Sequence, residues 1–220
     1  MENESVKTNF FSSRSFKIIA IILGLILIGF GAYQVIGGLK SKVSSAFINK
    51  FNEINNLSGD IGRDMKAASD LLLGIAAKEQ AKDYSGAAKD VEESISDLNN
   101  AVSKINSLNT DISEFKAMVE AVSDANVKQS GLKLTGLLEQ RSTTTLKLIS
   151  DSKKLVEPAK AYYEALAASK AGVYLSNSQV AELTQEINKD NEILTALAAQ
   201  FDAANQALAD TAGFKLTKAK

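Results

Sequence analysis

The stretch VAELTQEINKDNEILTALAAQFDAANQAL, from Val180 to Leu208, decides the fold. Its apolar side chains recur every three or four residues with one charged interruption, and this spacing places them on one face of an α-helix. These positions are Val180, Leu183, Ile187, Leu194, Leu197, Phe201, Ala204 and Leu208. A row of this kind is stable only when partner helices bury it, so the stretch predicts a helix packed in a bundle.

Three further apolar rows of the same period precede this one, and short polar connections separate the four segments. The predicted helices cover residues 41–81, 84–125, 130–172 and 178–211. Composition agrees, because the chain has one Pro, no Trp and abundant Ala, Leu, Lys and Glu. Short connections force neighbouring helices to run antiparallel. The predicted fold is therefore all-α, an antiparallel up-down-up-down bundle of about four long helices.

Breaks inside the segments are a separate question. Ser58–Gly62 contains two glycines and predicts a kink or break in the first helix. The second helix is either continuous or broken near Asn109, where a polar cluster precedes Asp111 and Glu114, which could cap a new helix. The third is either continuous or broken near Pro158, because a proline inside a helix removes one backbone hydrogen bond.

An uncharged apolar run, IIAIILGLILIGFGAYQVIGGL from Ile18 to Leu39, precedes the bundle. At about 1.5 Å per residue it covers the roughly 30 Å of bilayer hydrocarbon, so it predicts a transmembrane helix over residues 17–39. An alternative is a signal peptide cleaved near Val43, although the run is longer than such a segment requires. The expected anchor residues are Lys17, Ile18, Ile22, Leu27, Tyr33 and Lys40.

The chain thus divides into a flexible tail (1–16), a single membrane span (17–39), a helical bundle (40–212) and a basic C-terminal tail (213–220). Lysine and arginine are balanced on the two sides of the span, so they set no orientation. A short basic N-terminus and the absence of cysteine favour a cytoplasmic N-terminus with the bundle outside the cytoplasm. The localisation expected is a single-pass membrane protein.

The composition of the chain argues against several classes of function. The formal net charge is −1, which disfavours a nucleic-acid partner. The chain has no Cys and no His, the residues that supply most metal ligands, nucleophiles and general bases. The sequence therefore predicts no metal, no cofactor and no enzymatic activity.

Three polar residues stand in the apolar rows of the third and fourth helices: Arg141, Thr145 and Asp190. One interpretation is that Arg141 extends outward and Asp190 stays in solvent. The other is a polar layer that sets helix register or contacts a small anionic ligand between helices. The helix lengths do not put Arg141 and Asp190 at the same height, so direct pairing between them is not expected.

The function expected is a membrane-anchored, non-enzymatic scaffold, assembly or protein-binding element at the cell envelope. Its partners would be the lipid bilayer and a second protein or a second copy of the chain, met through helical faces. The alternative is a sensory bundle that binds a small molecule. One span followed by four long helices resembles, in layout, the ligand-sensing bundle of bacterial chemoreceptors, without their second span. Membrane-anchored bundles of cell-division regulators share the outline with reversed topology.

Overall fold

The computed structural model describes residues 33–36, 41–169 and 177–218. Two short strands enclose four helices in the order β1 (Tyr33–Ile36), α1 (Ser45–Gln80), α2 (Tyr84–Glu120), α3 (Ala125–Ala167), α4 (Asn177–Ala212) and β2 (Lys215–Lys218). The helices contain 36, 37, 43 and 36 residues, which corresponds to about 54 to 65 Å each. The predicted all-α four-helix bundle is confirmed.

Local capping explains where the first three helices begin. The Ser44 hydroxyl accepts from the Phe47 N–H at 3.2 Å, and an Asp83 carboxylate oxygen accepts from the Gly86 N–H at 2.9 Å. Asp124 accepts from the N–H groups of Asn126 and Val127 at 3.0 and 3.2 Å. Each cap satisfies N–H groups that have no partner inside the helix. The connections at residues 81–83 and 121–124 are short, so α1, α2 and α3 run antiparallel.

The apolar rows form one continuous core, which closes with an aromatic cluster at the end of the bundle where α1 begins; we call this end the base. There Phe47 and Phe51 of α1 lie 4.7 and 6.0 Å, between ring centres, from Phe115 of α2. Close approach of α2 and α3 requires glycine at one point. A Cβ built on Gly131 would lie 2.6 Å from a methyl group of Val119, so α3 fits against α2 only without that atom.

Of the kink or break predicted at Ser58–Gly62, the break is wrong, since α1 is continuous through this region, and the kink stays a prediction. The Ser58 hydroxyl is buried and donates to the Ile54 carbonyl at 2.7 Å. For α2 and α3 the structure selects the continuous alternative at Asn109 and at Pro158. Asn109 is used across helices, where its Oδ1 accepts from the Ser142 hydroxyl at 2.5 Å. Burial of the neighbouring side chains offsets the local helix penalties.

The strands differ from the prediction. The predicted membrane helix over 17–39 is wrong for Tyr33–Ile36, and the predicted tail over 213–220 is wrong for Lys215–Lys218, because these segments pair as an antiparallel sheet with Val35 opposite Leu216. Val35 and Leu216 are half-buried against the core. The Val35 N–H donates to Asn52 Oδ1 of α1 at 2.9 Å. For Tyr33–Ile36, pairing with β2 and packing against α1 therefore outweigh the helix that the local sequence predicts.

The turn between α4 and β2 positions the second strand. Gly213 has a φ of 76°, a value that glycine adopts without strain. The next residue, Phe214, is 5% exposed and its ring centre lies 5.7 Å from that of Phe51. The chain is thereby turned back against α1, where β2 meets β1.

Several predictions concern residues outside the described ranges. They include the tail over 1–16 and the expected anchor residues Lys17, Ile18, Ile22, Leu27 and Lys40. Of the anchor residues, Tyr33 alone falls in a described range, in β1. Within 33–36, 41–169 and 177–218, the helices lack the combination of length and apolar composition that a bilayer crossing requires.

Candidate functional site

The three polar residues singled out from the sequence do not form one site. Arg141 and Thr145 lie a turn apart on α3, whereas Asp190 of α4 lies beside a different α3 residue, Lys147. At the height of Arg141, α4 instead presents Phe201. The register of α3 against α4 therefore separates the residues of the expected polar layer. Arg141 lies at Phe201, and Asp190 lies at Lys147.

Arg141 is an interior residue, only 4% exposed. Its guanidinium carbon lies 5.0 Å from the centre of the Phe201 ring, which is the geometry of a cation–π contact. Burial lowers the pKa of Arg141 to about 9, and the charge of Asp202 opposes that shift. The side chain is thus still a cation at neutral pH, held against an aromatic face. The interpretation in which Arg141 extends outward is wrong.

Thr145 does not contribute a free hydroxyl to a site. It is completely buried, and its Oγ1 donates to the Arg141 carbonyl at 2.9 Å within the same helix. Bonds of this type occupy the hydroxyl without reaching another helix. Thr145 therefore acts in packing.

Lys147 is the centre of an ionic cluster between α3 and α4. Its Nζ lies 3.0 Å from Asp151, 2.7 Å from Glu186 and 3.0 Å from Asp190. Lys154 adds a second contact to Asp151, at 2.6 Å. Asp190 is 3% and Asp151 5% exposed, so both carboxylates depend on these lysines for compensation of their charge. The interpretation that leaves Asp190 in solvent is wrong.

The protonation of the ionic cluster follows from its geometry. Hydrogen bonds to Glu186, Asp151 and Asp190 raise the pKa of Lys147, and Lys147 in turn lowers the pKa of Glu186. Burial raises the pKa of Asp151, but its bonds to Lys154 and Lys147 outweigh burial, so that pKa lies below its ordinary value. Lys147, Glu186 and Asp151 are therefore ionised at neutral pH, which suits a structural contact better than proton transfer.

Beside the ionic cluster, α3 and α4 enclose an open groove of about 460 Å³. It is lined by Asp151, Lys154, Gln179, Glu182, Leu183 and Glu186. Carboxylates outnumber the single lysine, and Leu183 supplies an apolar contact. Such a groove has the size of a small-ligand site but is more polar than most of them. We call it the distal groove, because it lies in the half of the bundle farther from the base.

Sequence reasoning found Asp190 but missed Lys147, Asp151, Lys154 and Glu186. One signal was available, because Lys147 with Asp151 and Glu186 with Asp190 have the four-residue spacing that places two side chains on one helical face. The sequence does not show that the α3 face with Lys147 meets the α4 face with Asp190, because this depends on the register of the two helices. Among the described residues there is no group of three or more carboxylates placed to hold a metal ion.

Comparison with known proteins adds no further assignment to this geometry. No family model, no curated protein and no solved structure matches the chain.

Proposed function

We propose that the chain is a membrane-anchored, non-enzymatic bundle that binds another protein at the cell envelope. The observation that carries the proposal is the pairing of β1 with β2 at the base. The apolar run directly precedes β1 in the sequence, and β1 lies at the end where α1 begins and the C-terminal strand β2 pairs with it. An anchor in that run would therefore join the bundle at the base. The bundle then extends about 54 Å or more away from the attachment point.

The strand shortens the proposed anchor. With Tyr33–Ile36 in β1, the apolar run that remains is Ile18–Ala32, 15 residues long. As a helix it would span about 22 Å of a hydrocarbon layer about 30 Å thick. Local thinning of the bilayer, with Lys17 extending to one interface and Tyr33 lying at the other, accommodates a mismatch of this size.

The described surface supports a polar mode of partner binding. Leu73, at 43%, is the single large apolar side chain that is exposed within the described ranges. Interfaces without an apolar centre are transient and depend on charge complementarity. The distal groove offers such complementarity through Glu182 and Glu186. We therefore propose that the partner presents a basic surface to this end of the bundle.

Two measurements test the proposal. Full-length protein expressed in bacterial cells is expected to sediment with membranes and to resist extraction by alkaline carbonate. Protease added to intact cells is expected to degrade the bundle if it lies outside the cytoplasm. Recovery of the intact chain from the supernatant without detergent would refute the anchor. Survival of the bundle in intact cells, with digestion after lysis, would refute the orientation alone.

Partner binding requires a separate test. Cross-linking in cells followed by purification is expected to recover a partner with the parent chain and with Glu92→Lys on α2. It is expected to lose that partner with Glu182→Lys, since this change reverses one charge of the distal groove. Equal recovery with both variants would show that the partner binds elsewhere.

A second candidate function is recognition of a small molecule in the distal groove, as in a sensory bundle. The observation that favours it is the combination of one ammonium group, several carboxylates and Leu183 around about 460 Å³, which would suit a zwitterion. Calorimetric titration with amino acids tests it. Binding that is lost in both Lys154→Ala and Glu182→Ala would support a ligand site, and no heat with any amino acid would exclude this class.

A further inference from the structure

The distal groove carries more negative than positive charge. Of the described residues that line it, three are carboxylates and one is a lysine. Among the carboxylates, Asp151 is already held by Lys154 and Lys147, at 2.6 and 3.0 Å. The charge that these lysines leave uncompensated therefore lies with the other two carboxylates, Glu182 and Glu186 of α4.

Glu182 and Glu186 are also the accessible carboxylates of the distal groove, since both residues are exposed. The Glu186 side chain is 55% exposed and bonds to Lys147, whereas no ion pair joins Glu182 to another residue of the described ranges. Two like charges four residues apart on one helix repel each other and destabilise it. A cation placed between Glu182 and Glu186 would relieve this repulsion.

Leu183 supplies an apolar contact beside these two carboxylates. It is half-buried, packs against the core and lines the distal groove. A lysine or arginine side chain matches this arrangement, because its aliphatic stem covers apolar surface while its charged end stays among polar groups. The stem would lie on Leu183, and the charged end would lie between Glu182 and Glu186.

The walls of the distal groove are helices, and this favours one backbone conformation in the partner. Beyond the first turn of α4, the backbone N–H and C=O groups along the groove are bonded within α3 and α4, so they offer nothing to an extended strand. An α-helix satisfies its own backbone and contributes side chains alone. On α4 the lining runs from Gln179 to Glu186, about 10 Å, which a partner helix of about three turns would cover.

We infer that the distal groove receives a basic α-helix of the partner protein, which places a lysine or arginine against Leu183 and between Glu182 and Glu186. This inference rests on the proposed function, since it takes the distal groove as the place where the partner binds. It adds the secondary structure of the partner element and the side chain that anchors it.

A displayed peptide library tests the secondary structure and the charge together. The target is the full-length chain in micelles of an uncharged detergent, and the library is an alanine-rich helical scaffold randomised along one face. We expect the enriched peptides to carry lysine or arginine on that face. A proline placed in the middle of an enriched peptide should weaken its binding about tenfold or more, because it breaks the helix.

Three results of the selection would overturn the inference. They are enriched peptides without a basic residue, enriched peptides that bind equally well with the proline, and a selection that enriches nothing.

Substitutions on α4 locate the contact. Glu182→Gln keeps the size of the side chain and should weaken binding of an enriched peptide about three- to tenfold. Glu192→Gln is the matched control, because Glu192 is exposed on the same helix and does not line the distal groove. Its affinity should stay within about twofold of the parent chain. Equal effects of the two substitutions would place the helix elsewhere and overturn the inference.

A third substitution should strengthen binding. Lys189 is exposed, and its charge helps to lower the pKa of Glu186, so it reduces the negative potential that a basic helix meets. We expect Lys189→Gln to tighten binding of an enriched peptide about two- to threefold. Weaker binding in Lys189→Gln would contradict a cation at Glu186. Circular dichroism of each variant verifies that the bundle remains folded.

The remaining outcomes separate this inference from the proposed function. A dimer of the chain alone that Glu182→Gln dissociates, measured by sedimentation, would place a second copy in the distal groove and overturn the inference. A failed selection, combined with a cross-linked partner that is lost in Glu182→Lys, would refute the helix and leave the proposed partner in place. Sedimentation with membranes bears only on the anchor.

Discussion

Arg141 of α3 holds its guanidinium carbon 5.0 Å from the centre of the Phe201 ring of α4. This contact joins a buried cation to an aromatic face at the height where a polar layer was expected. It lies about four turns of α4 from Glu186, which lines the distal groove. Substitutions at this contact should therefore change the free energy of unfolding and leave the geometry of the distal groove unchanged.

The Arg141–Phe201 contact predicts energetic coupling. In a double-mutant cycle of Arg141→Met and Phe201→Leu, we expect a coupling free energy of about 0.5 to 2 kcal/mol. Urea denaturation followed by circular dichroism measures it. The matched control replaces Phe201→Leu by Phe115→Leu, because Phe115 packs against Phe47 and Phe51 at the base. Equal coupling in the two cycles would contradict a specific contact.

Lys147 compensates the charges of the two buried carboxylates Asp151 and Asp190. Replacing it should therefore lower the free energy of unfolding more than replacing a surface lysine does. We expect Lys147→Ala to lower the free energy of unfolding by about 1 to 3 kcal/mol, with partial recovery on adding Asp190→Asn. Lys89→Ala is the control, since Lys89 is exposed and lies 3.5 Å from Glu93, and its effect should stay below about 0.5 kcal/mol. Similar losses in both variants would show that the ionic cluster adds nothing beyond a surface pair.

The ionic cluster also predicts a loss of stability in acid. The pKa values of Asp151 and Glu186 are lower in the folded chain than their ordinary values of 3.8 and 4.5. A lowered carboxyl pKa contributes stability above the ordinary value, and this contribution disappears as the pH falls through the folded pKa. We expect the urea midpoint to fall from pH 6 to pH 3, with a smaller decrease in Lys147→Gln. An identical decrease in both proteins would assign the effect to other groups.

Asn205 places a polar amide among the buried residues of α4. It is completely buried, and neither its amide nitrogen nor its amide oxygen has a hydrogen-bond partner in the described structure. We expect Asn205→Leu to raise the free energy of unfolding by about 1 to 2 kcal/mol. In the control Asn55→Leu no gain is expected, because Asn55 Nδ2 donates to the Phe51 carbonyl at 2.9 Å. A loss of stability in Asn205→Leu would indicate a partner for this amide.

The bond between Asn52 and Val35 predicts slow hydrogen exchange in β1. The Val35 amide should be protected in the full chain, and Asn52→Ala should accelerate its exchange about five- to tenfold, which corresponds to about 1 kcal/mol. Asn56→Ala is the control, since Asn56 is exposed on the same helix. Exchange at Val35 that Asn52→Ala does not change would show that β1 lies elsewhere.

The four helices could be predicted because their determinants are local. Apolar rows such as that from Val180 to Leu208, together with capping residues such as Asp83 and Asp124, depend on neighbours within a few positions of the chain. Helix ends agree with the prediction to within about five residues for this reason. Composition and the apolar run before the bundle are likewise properties of the sequence alone.

Only the tertiary structure decided the rest. Whether Arg141 or Lys147 lies opposite Asp190 depends on the axial register of α3 relative to α4. That register follows from core packing, and the hydrophobic periodicity of each helix does not predict it. The strands required pairing between Val35 and Leu216, which are far apart in the chain, and that contact overrode the helix predicted for Tyr33–Ile36. Continuity through Pro158 has the same origin, because burial around the proline exceeds the local cost of one lost hydrogen bond.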